Sequence, residues 1–260
     1  MIRHKIYNIL CSVFILLLFA SNANAQSSEK ALQDSLANAN SYAQNGLNAQ
    51  AIDTYEYIIS QGYTNSSVYY NLGYVYYKQG NLGRAILNME RAKKLNPNDP
   101  DVLYNLDHAY ALTDQMQVVE PVFFEAWWDS FKSILSPDGW AWAFAIVFIL
   151  MLGGIAAFLF ANSISARKIG FFGALACALL CIITFSIALN KRGEITDSTE
   201  GIILSSSVTL TTSPDKNGSE MAVLHEGTHI EIISILNDWA EVRLKDGNVG
   251  WLKITDFEKI

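Results

Sequence analysis

WAWAFAIVFILMLGGIAAFLFA, residues 140–161, decides the architecture of this chain together with a second apolar stretch, FFGALACALLCIITFSIAL, residues 171–189. Neither stretch contains Asp, Glu, Lys or Arg. At about 1.5 Å per helical residue, each is long enough to cross the roughly 30 Å hydrocarbon core of a bilayer. The link NSISARKIG, residues 162–170, therefore predicts an antiparallel transmembrane hairpin over residues 139–190. Small residues recur at every fourth position and predict close helix packing: Gly153, Ala157 and Ala161, then Gly170, Ala174 and Ala178.

The first 25 residues have the features of a cleaved export signal. Arg3 and Lys5 precede an apolar core, and Ala23 and Ala25 supply the small residues of a cleavage site. Such a signal places the following residues outside the cytoplasm, and an even number of spans returns the C-terminal part to the same side. We therefore predict a protein of the inner (cytoplasmic) membrane, with both soluble parts in the periplasm and residues 162–170 in the cytoplasm.

Residues 26–119 contain a repeat of 34 residues: YNL at 70–72 returns at 104–106, and Gly46 and Gly80 have the same spacing. The clearest unit resembles the tetratricopeptide repeat (TPR) at Tyr69, Leu72, Gly73, Tyr76, Gly80, Ala85, Ala92 and Pro97. The resemblance implies an α-helical solenoid in which small residues let antiparallel helices touch. Two and a half repeats are fewer than the roughly three that such a solenoid needs. We expect the open end of the array to pack on another element, and the aromatic stretch that follows is the candidate.

In the TPR family the first helix of each repeat lines a concave groove that binds protein partners. Helical spacing places an aromatic stripe on that side of this array. The predicted protein-binding groove consists of Tyr70, Tyr74, Tyr77, Lys78, Tyr104, Asn105 and His108. Because aromatic residues replace most of the family's carboxylate-binding side chains, we expect a partner segment with apolar anchors. The alternative is that Tyr70 and Tyr104 cover the core of the short array.

Residues 120–138 predict an amphipathic aromatic helix that begins at Pro121. Aromatic side chains favour the bilayer interface, so one hypothesis places this helix on the membrane surface before the first span. The other hypothesis is that it completes the core of the third repeat. The two hypotheses are compatible with each other.

Residues 199–260 alternate apolar and polar positions with a period of two, as at Val208 and Leu210 or at Met221 and Val223. Five or six short strands in this length predict a small all-β barrel. The stretch resembles the bacterial SH3 (SH3b) domain in the segments EGT at 226–228, NDW at 237–239, DG at 246–247 and GWL at 250–252. We expect Trp239 and Trp251 to be packing residues, and a ligand-binding surface is the alternative.

The sequence HEGTH, residues 225–229, matches the H-E-x-x-H pattern of zinc peptidases. That chemistry requires a helix, so that both imidazoles face one metal ion. Gly227 and Thr228 are poor helix formers and the flanking residues favour strands, so we predict a strand, a turn and a strand with no metal. No pattern for a cofactor or for catalysis is evident elsewhere, and we expect a protein that is not an enzyme. The formal net charge of −7 disfavours nucleic acid as a partner.

These features predict a multidomain membrane protein with a helical TPR solenoid, a two-helix transmembrane hairpin and a small SH3-like barrel. Their order resembles the BatE family of the Bacteroides aerotolerance (Bat) operon. The resemblance implies an envelope complex with Bat proteins that carry von Willebrand A domains, and a role in oxidative-stress tolerance. At a coarser level the residues predict a membrane-anchored scaffold that binds protein partners and contacts the lipid bilayer. The alternative function is a cell-wall tether whose SH3b domain binds peptidoglycan.

Overall fold

The computed structural model describes residues 30–113, 123–196, 199–215 and 218–260. The predicted signal peptide and Pro121 lie outside the described residues. The chain divides into two compact units, Met1–Thr64 and Asn65–Ile260.

The described part of the first unit is a pair of helices, α1 (residues 30–44) and α2 (Asn48–Ser60). Gly46 between them has a φ of 74°, a left-handed conformation that suits glycine at the end of a helix. The Tyr55 hydroxyl of α2 donates a hydrogen bond to Asn40 Oδ1 of α1 at 2.6 Å. The pair lies one 34-residue repeat before the unit that contains Tyr69 and Ala85, as the spacing of Gly46 and Gly80 predicts.

Three further helices follow in the second unit: α3 (Ser66–Lys78), α4 (Leu82–Leu95) and α5 (Pro100–Ala111). The side chains of Asn65, Asn81 and Asp99 cap their N-termini by accepting backbone N–H groups. A Cβ atom at Gly73 would lie 3.0 Å from the carbonyl oxygen of Ala85, so α3 and α4 approach closely at the two small residues that the sequence singled out.

The next three helices are α6 (Phe123–Lys132), α7 (Pro137–Phe160) and α8 (Ile164–Thr196). Both α7 and α8 are long and apolar enough to cross a membrane. The predicted nine-residue link between them is wrong, because α8 begins at Ile164 and only residues 161–163 separate the helices. Ser163 Oγ caps α8 by accepting the N–H of Ala166, and the polar residues that follow form helix readily. The polar residues before Phe171 therefore mark where the apolar run of α8 begins, and not where the helix begins.

The contact between α7 and α8 uses a different glycine from the one predicted. A Cβ atom at Gly154 would lie 3.0 Å from the Gly170 carbonyl oxygen, whereas one at Gly153 would meet nothing within 4 Å. Ala157 and Ala174 complete the close approach, since their Cβ atoms lie 3.1 Å from the Cβ positions of Gly170 and Gly154. The small-residue contact is therefore present, with Gly154 in place of Gly153 beside the predicted Ala157.

Residues 199–260 form an antiparallel sheet of seven strands: β1 (Glu200–Ile203), β2 (Ser207–Thr211), β3 (Glu220–His225), β4 (His229–Leu236), β5 (Trp239–Leu244), β6 (Val249–Lys253) and β7 (Phe257–Lys259). The spatial order is β3-β2-β6-β5-β4-β1-β7, with β3 and β7 at the two edges. The predicted barrel is therefore wrong, because the sheet does not close. Strand β2 pairs along its length with β3 and meets β6 only at Thr211 and Trp251, after a register shift at Leu210.

One face of the sheet carries its apolar core, which includes Leu210, Leu224, Ile230, Val242 and Leu252. The alternation along β3 is opposite to the one that Met221 and Val223 suggested. Both are exposed, Val223 at 52%, while Leu224 is buried and Ala222 packs against the core. A period of two does not by itself say which of its two faces is inside.

Candidate protein-binding surface

Six of the seven predicted groove residues lie close to one another on α3 and α5. They form what we call the tyrosine surface: Tyr70, Tyr74, Lys78, Tyr104, Asn105 and His108. On α3, the Tyr70 and Tyr74 rings stack with centroids 6.3 Å apart, and Lys78 Nζ lies 5.0 Å from the Tyr74 centroid. On α5, the Tyr104 and His108 rings meet edge to face at 4.6 Å.

A hydrogen bond joins the two helices across this surface, from Asn105 Nδ2 to the Tyr70 hydroxyl oxygen at 2.9 Å. Burial raises the pKa of Tyr70, and the Asp101 carboxylate, Tyr74 and Asp99 raise it further. The phenol is protonated at neutral pH, and its O–H group can donate a hydrogen bond to a partner. The surface is negative near Asp101 and positive near Lys78, with exposed aromatic rings between them.

Tyr77 differs from the other predicted groove residues. It is half-buried and packs against the apolar cluster that α4 and α5 share with the β-sheet. Its contribution to stability makes it a poor probe of partner binding. Tyr74 and Tyr104 are the informative positions, since both are exposed, Tyr104 at 65%.

The open end of the repeats is covered by the C-terminal sheet, and sequence reasoning missed this contact. The shared cluster contains Ile86, Leu87 and Met89 of α4, Leu106 and Ala109 of α5, and Ile202 and Ile260 of the sheet segment. Strand β1 presents two apolar sides, with Ile203 in the sheet core and Ile202 against the helices. The sequence signal that could have found it is the adjacent pair Ile202 and Ile203 in β1, because a strand with one covered face alternates apolar and polar residues.

Polar contacts fix the position of this repeat–sheet junction. Arg91 Nη2 of α4 donates to Glu258 Oε1 at 2.8 Å and to the Lys259 carbonyl oxygen at 2.6 Å. Glu226, in the turn before β4, accepts the backbone N–H of Gly83 at 3.4 Å near the N-terminus of α4. A carboxylate is favoured there by the helix dipole.

A buried polar group lies beside the apolar cluster. The Tyr110 hydroxyl donates to Glu90 Oε1 at 2.8 Å, and Lys245 Nζ lies 5.2 Å from the Tyr110 ring centroid. Burial raises the pKa of Tyr110, and Glu90 raises it further. Burial lowers the pKa of His229, as does Lys245, whereas Glu200, with Oε1 3.9 Å from Nε2, opposes the shift.

The HEGTH sequence forms a strand, a turn and a strand, as expected. Strand β3 ends at His225, Gly227 has a φ of 83°, and β4 begins at His229. His225 Nδ1 lies 3.2 Å from the Ser206 carbonyl oxygen, whereas His229 faces Glu200. Among the described residues, no group of three or more His, Cys, Asp or Glu side chains is placed to hold a metal ion.

Trp239 and Trp251 lie on the outer face of the sheet. Trp251 pairs with Glu241, which is two residues from Trp239 on the same face of β5, so the two indoles are diagonal neighbours. Both are half-buried, and neither belongs to the core cluster. Both indoles therefore lie outside the sheet core, because the alternate residues of their strands, such as Ala240 and Leu252, face that core. Their role in packing or in ligand binding stays a prediction.

None of the described side chains of α6, residues 127–132, is fully buried. Trp127 is 53% exposed, and Phe131 packs against Trp140 at the start of α7 with centroids 5.6 Å apart. Trp140 Nε1 donates to the Lys132 carbonyl oxygen at 2.9 Å. Helix α6 is thus joined to the first turn of α7 and presents aromatic rings to its surroundings.

Residues 66–99, which cover α3 and α4, match the tetratricopeptide repeat family. A comparison with curated proteins found no match. Repeats of this kind indicate a protein–protein interaction scaffold. The match ends before the hairpin and the sheet, so the resemblances of those parts and of the whole chain stay predictions.

Proposed function

We propose that the protein is a membrane-anchored scaffold, without enzymatic activity, that binds a protein partner through the tyrosine surface. The observation that carries this proposal is the exposed aromatic surface across α3 and α5, braced by the bond from Asn105 to Tyr70. Bracing reduces the ordering cost of binding, and aromatic side chains typically dominate the energetics of interfaces. The partner we expect is an extended or helical segment with apolar anchors.

Co-purification of the full chain from native membranes in mild detergent tests this proposal. The double variant Tyr74→Ala with Tyr104→Ala should lose the co-purifying partner and keep the thermal midpoint of the wild type. The matched control is Tyr57→Ala, which removes a tyrosine that is 54% exposed on α2. Unaltered co-purification of the same protein by the double variant would contradict a role for the tyrosine surface.

The proposed anchor is the hairpin of α7 and α8. Its support is the length and apolar composition of both helices and their exposure, including Phe160, Ile149 and Leu179. Soluble chains rarely expose so large an apolar surface, whereas a bilayer would cover it. We place α6 at the membrane interface, where its tryptophans would favour the headgroup region.

Topology follows from the predicted signal and from two spans. With the native cysteines replaced by alanine, Ser206→Cys should react with an impermeant maleimide applied from the periplasmic side, and Ser165→Cys should not. Both serines are exposed, so access depends on the membrane and not on the fold. A protected Ser206→Cys would contradict the two-span arrangement.

The order of the predicted segments extends the proposal to a Bat-type envelope complex active in oxidative-stress tolerance. On this hypothesis the partner carries a von Willebrand A domain. Mass spectrometry of the co-purified proteins identifies it. A partner of another fold would contradict the Bat assignment and leave the scaffold function standing.

A second candidate function is peptidoglycan binding by the sheet, which the outer-face position of Trp239 and Trp251 favours. Indole rings on the outer face of the sheet, beside a carboxylate and a hydroxyl group, suit a saccharide, and Glu241 and Thr211 pair with Trp251 on that face. Sedimentation of the detergent-solubilised chain with purified cell-wall sacculi tests this function. Trp251→Ala should release the chain from the sacculi if the indoles bind glycan.

A further inference from the structure

A cavity of about 900 Å³ lies where α4, α6, the end of α8, strands β1 and β4 and the turn after β5 meet. We call it the junction cavity. Its volume is in the range of pockets that hold small molecules and lipid headgroups. It lies outside the tyrosine surface, and nothing in the proposed scaffold function uses it.

The floor of the junction cavity lies at the end of the apolar hairpin. Lys191 and Glu194 line it and follow directly after the apolar run of α8, which ends at Leu189. Lys132 lines it from α6, shortly before α7 begins at Pro137. If α7 and α8 span a bilayer, this position is the level of the lipid headgroups.

The cavity wall is rich in charged side chains, with a small excess of cations. Five lysines line it together with four carboxylates, and the lysines come from α4, α6, α8 and the turn after β5. Three of them converge on Glu194. Lys132 Nζ lies 3.9 Å from its Oε1, Lys191 Nζ lies 3.6 Å from its Oε2, and Lys94 Nζ donates to its carbonyl oxygen at 3.4 Å.

The carboxylate of Glu194 is a loosely held anion at this point. Its distances to Lys132 and Lys191 exceed hydrogen-bond length, and its side chain is 42% exposed, so it can turn into water. The two lysine side chains are only 17% and 16% exposed and stay in the wall, where Lys132 Nζ keeps its 2.8 Å ion pair with Asp129 Oδ1. A phosphate offers more acceptor oxygens than one carboxylate and binds an ammonium group by charge-assisted hydrogen bonds.

We propose that the junction cavity binds the phosphate of a glycerophospholipid headgroup, which displaces the Glu194 carboxylate from Lys132 and Lys191. This inference rests on the proposed membrane anchoring, because only a bilayer brings headgroups to this level. The cavity contacts α4 of the repeats, α8 of the hairpin and the sheet. A bound headgroup would therefore fix the soluble parts at a defined height on the membrane surface.

Native mass spectrometry of the full chain in detergent, titrated with dioleoyl phosphatidylglycerol, tests the site. The variant Lys132→Ala with Lys191→Ala should bind this lipid at least roughly tenfold more weakly than the wild type. Lys132→Arg with Lys191→Arg should restore binding, since it keeps both charges. The control Arg167→Ala with Lys168→Ala removes two exposed cations at the other end of the hairpin and should have a much smaller effect.

Equal losses in the alanine variant and in the control would overturn the site, because both would then report general attraction between charges. Equal binding of dioleoyl glycerol, which lacks phosphate, would also overturn it. Displacement of the lipid by millimolar inorganic phosphate would mean that the site binds free phosphate, and would overturn the proposal of a lipid headgroup. Release of the wild-type chain from membranes by alkaline carbonate would instead refute the anchoring, which keeps the two failures distinguishable.

Discussion

The repeats of the second unit have two faces that differ in what covers them. The face built from α4 and α5 packs against strand β1 and the C-terminal residues, and Ile86 and Ile202 are fully buried there. The face built from α3 and α5 carries the tyrosine surface, and within the described residues Tyr104 stays 65% exposed. The sheet buries the first face, which a short array would otherwise expose. Burial of the second face is therefore not needed for stability.

This difference explains how a short array can keep an aromatic face open. A solenoid of few repeats exposes apolar surface at its ends, which a further repeat or a cap must bury. Here the sheet is the cap. Substitutions on the covered face should therefore lower stability, and substitutions on the open face should affect partner binding.

The largest effect is expected for Ile202→Ala, which opens a cavity in the covered face. The free energy of unfolding of the full chain, measured by denaturant titration in detergent, should fall by about 2–5 kcal/mol. Ile86→Ala on the helix side should act on the same cluster, so the two effects should couple by about 0.5–3 kcal/mol. Strict additivity of the two substitutions would contradict a shared junction.

A smaller effect is expected for Gly227→Ala, where a Cβ atom would lie 2.7 Å from Ile86 Cδ1 and from Thr113 Cγ2. The matched control is Gly247→Ala, because its φ of 88° is close to the 83° of Gly227 and a Cβ atom there would meet nothing within 4 Å. The two variants share the backbone strain. Gly227→Ala should cost about 1–3 kcal/mol more than the control, from overpacking of the junction. Equal losses of stability in the two variants would mean that Gly227 is required only for the backbone conformation of its turn, and not for packing at the junction.

The junction between the repeats and the sheet should also lose stability at acidic pH. The pKa of His229 lies below its ordinary value of about 6.5, so the folded chain binds this proton less readily than the unfolded chain. His229 therefore makes its full contribution to the free energy of unfolding above about pH 6.5. This contribution is lost as the pH falls below that value. His229→Gln should flatten the profile of stability against pH in this range, as measured by denaturant titration at a series of pH values. A profile unaltered by His229→Gln would contradict this assignment.

The smallest effect on stability is expected for Tyr104→Ala on the open face. Exposed side chains contribute little to folding, so the free energy of unfolding should change by less than about 0.5 kcal/mol. The same titration measures it. A loss comparable to that of Ile202→Ala would mean that Tyr104 covers the core of the array, which was the alternative interpretation of this residue.

The helices of the repeats and the hairpin could be predicted because their signals are local. The spacing of Gly73 and Ala85, the caps of α3 to α5 and the apolar runs of α7 and α8 each act within one element or between neighbours. The tyrosine surface could be predicted for the same reason, since it follows from the helical period and from one repeat spacing. Tyr77 was placed with that surface because spacing alone does not reveal a third element packed beside it.

The junction and the open sheet could not be predicted in this way. The contact between α4 and β1 joins segments more than a hundred residues apart, and no local pattern says which surface meets which. Closure of a barrel depends on pairing between the first and last strands of the sheet, and the register shift at Leu210 is not visible in the alternation. The inward face of β3 was misread because Met221 and Val223 are as apolar as the residues that do face the core.

Photocrosslinking from two positions on the same helix tests the contrast between the faces most directly. p-Benzoylphenylalanine would replace Tyr104 on the open face in one variant and Tyr110 at the junction in the other, in the full chain in its native membrane. We predict that Tyr104→p-benzoylphenylalanine forms an adduct with another protein. We predict that Tyr110→p-benzoylphenylalanine crosslinks within the chain, to the sheet around Lys245. An intermolecular adduct from the junction position, or none from the open face, would contradict the account.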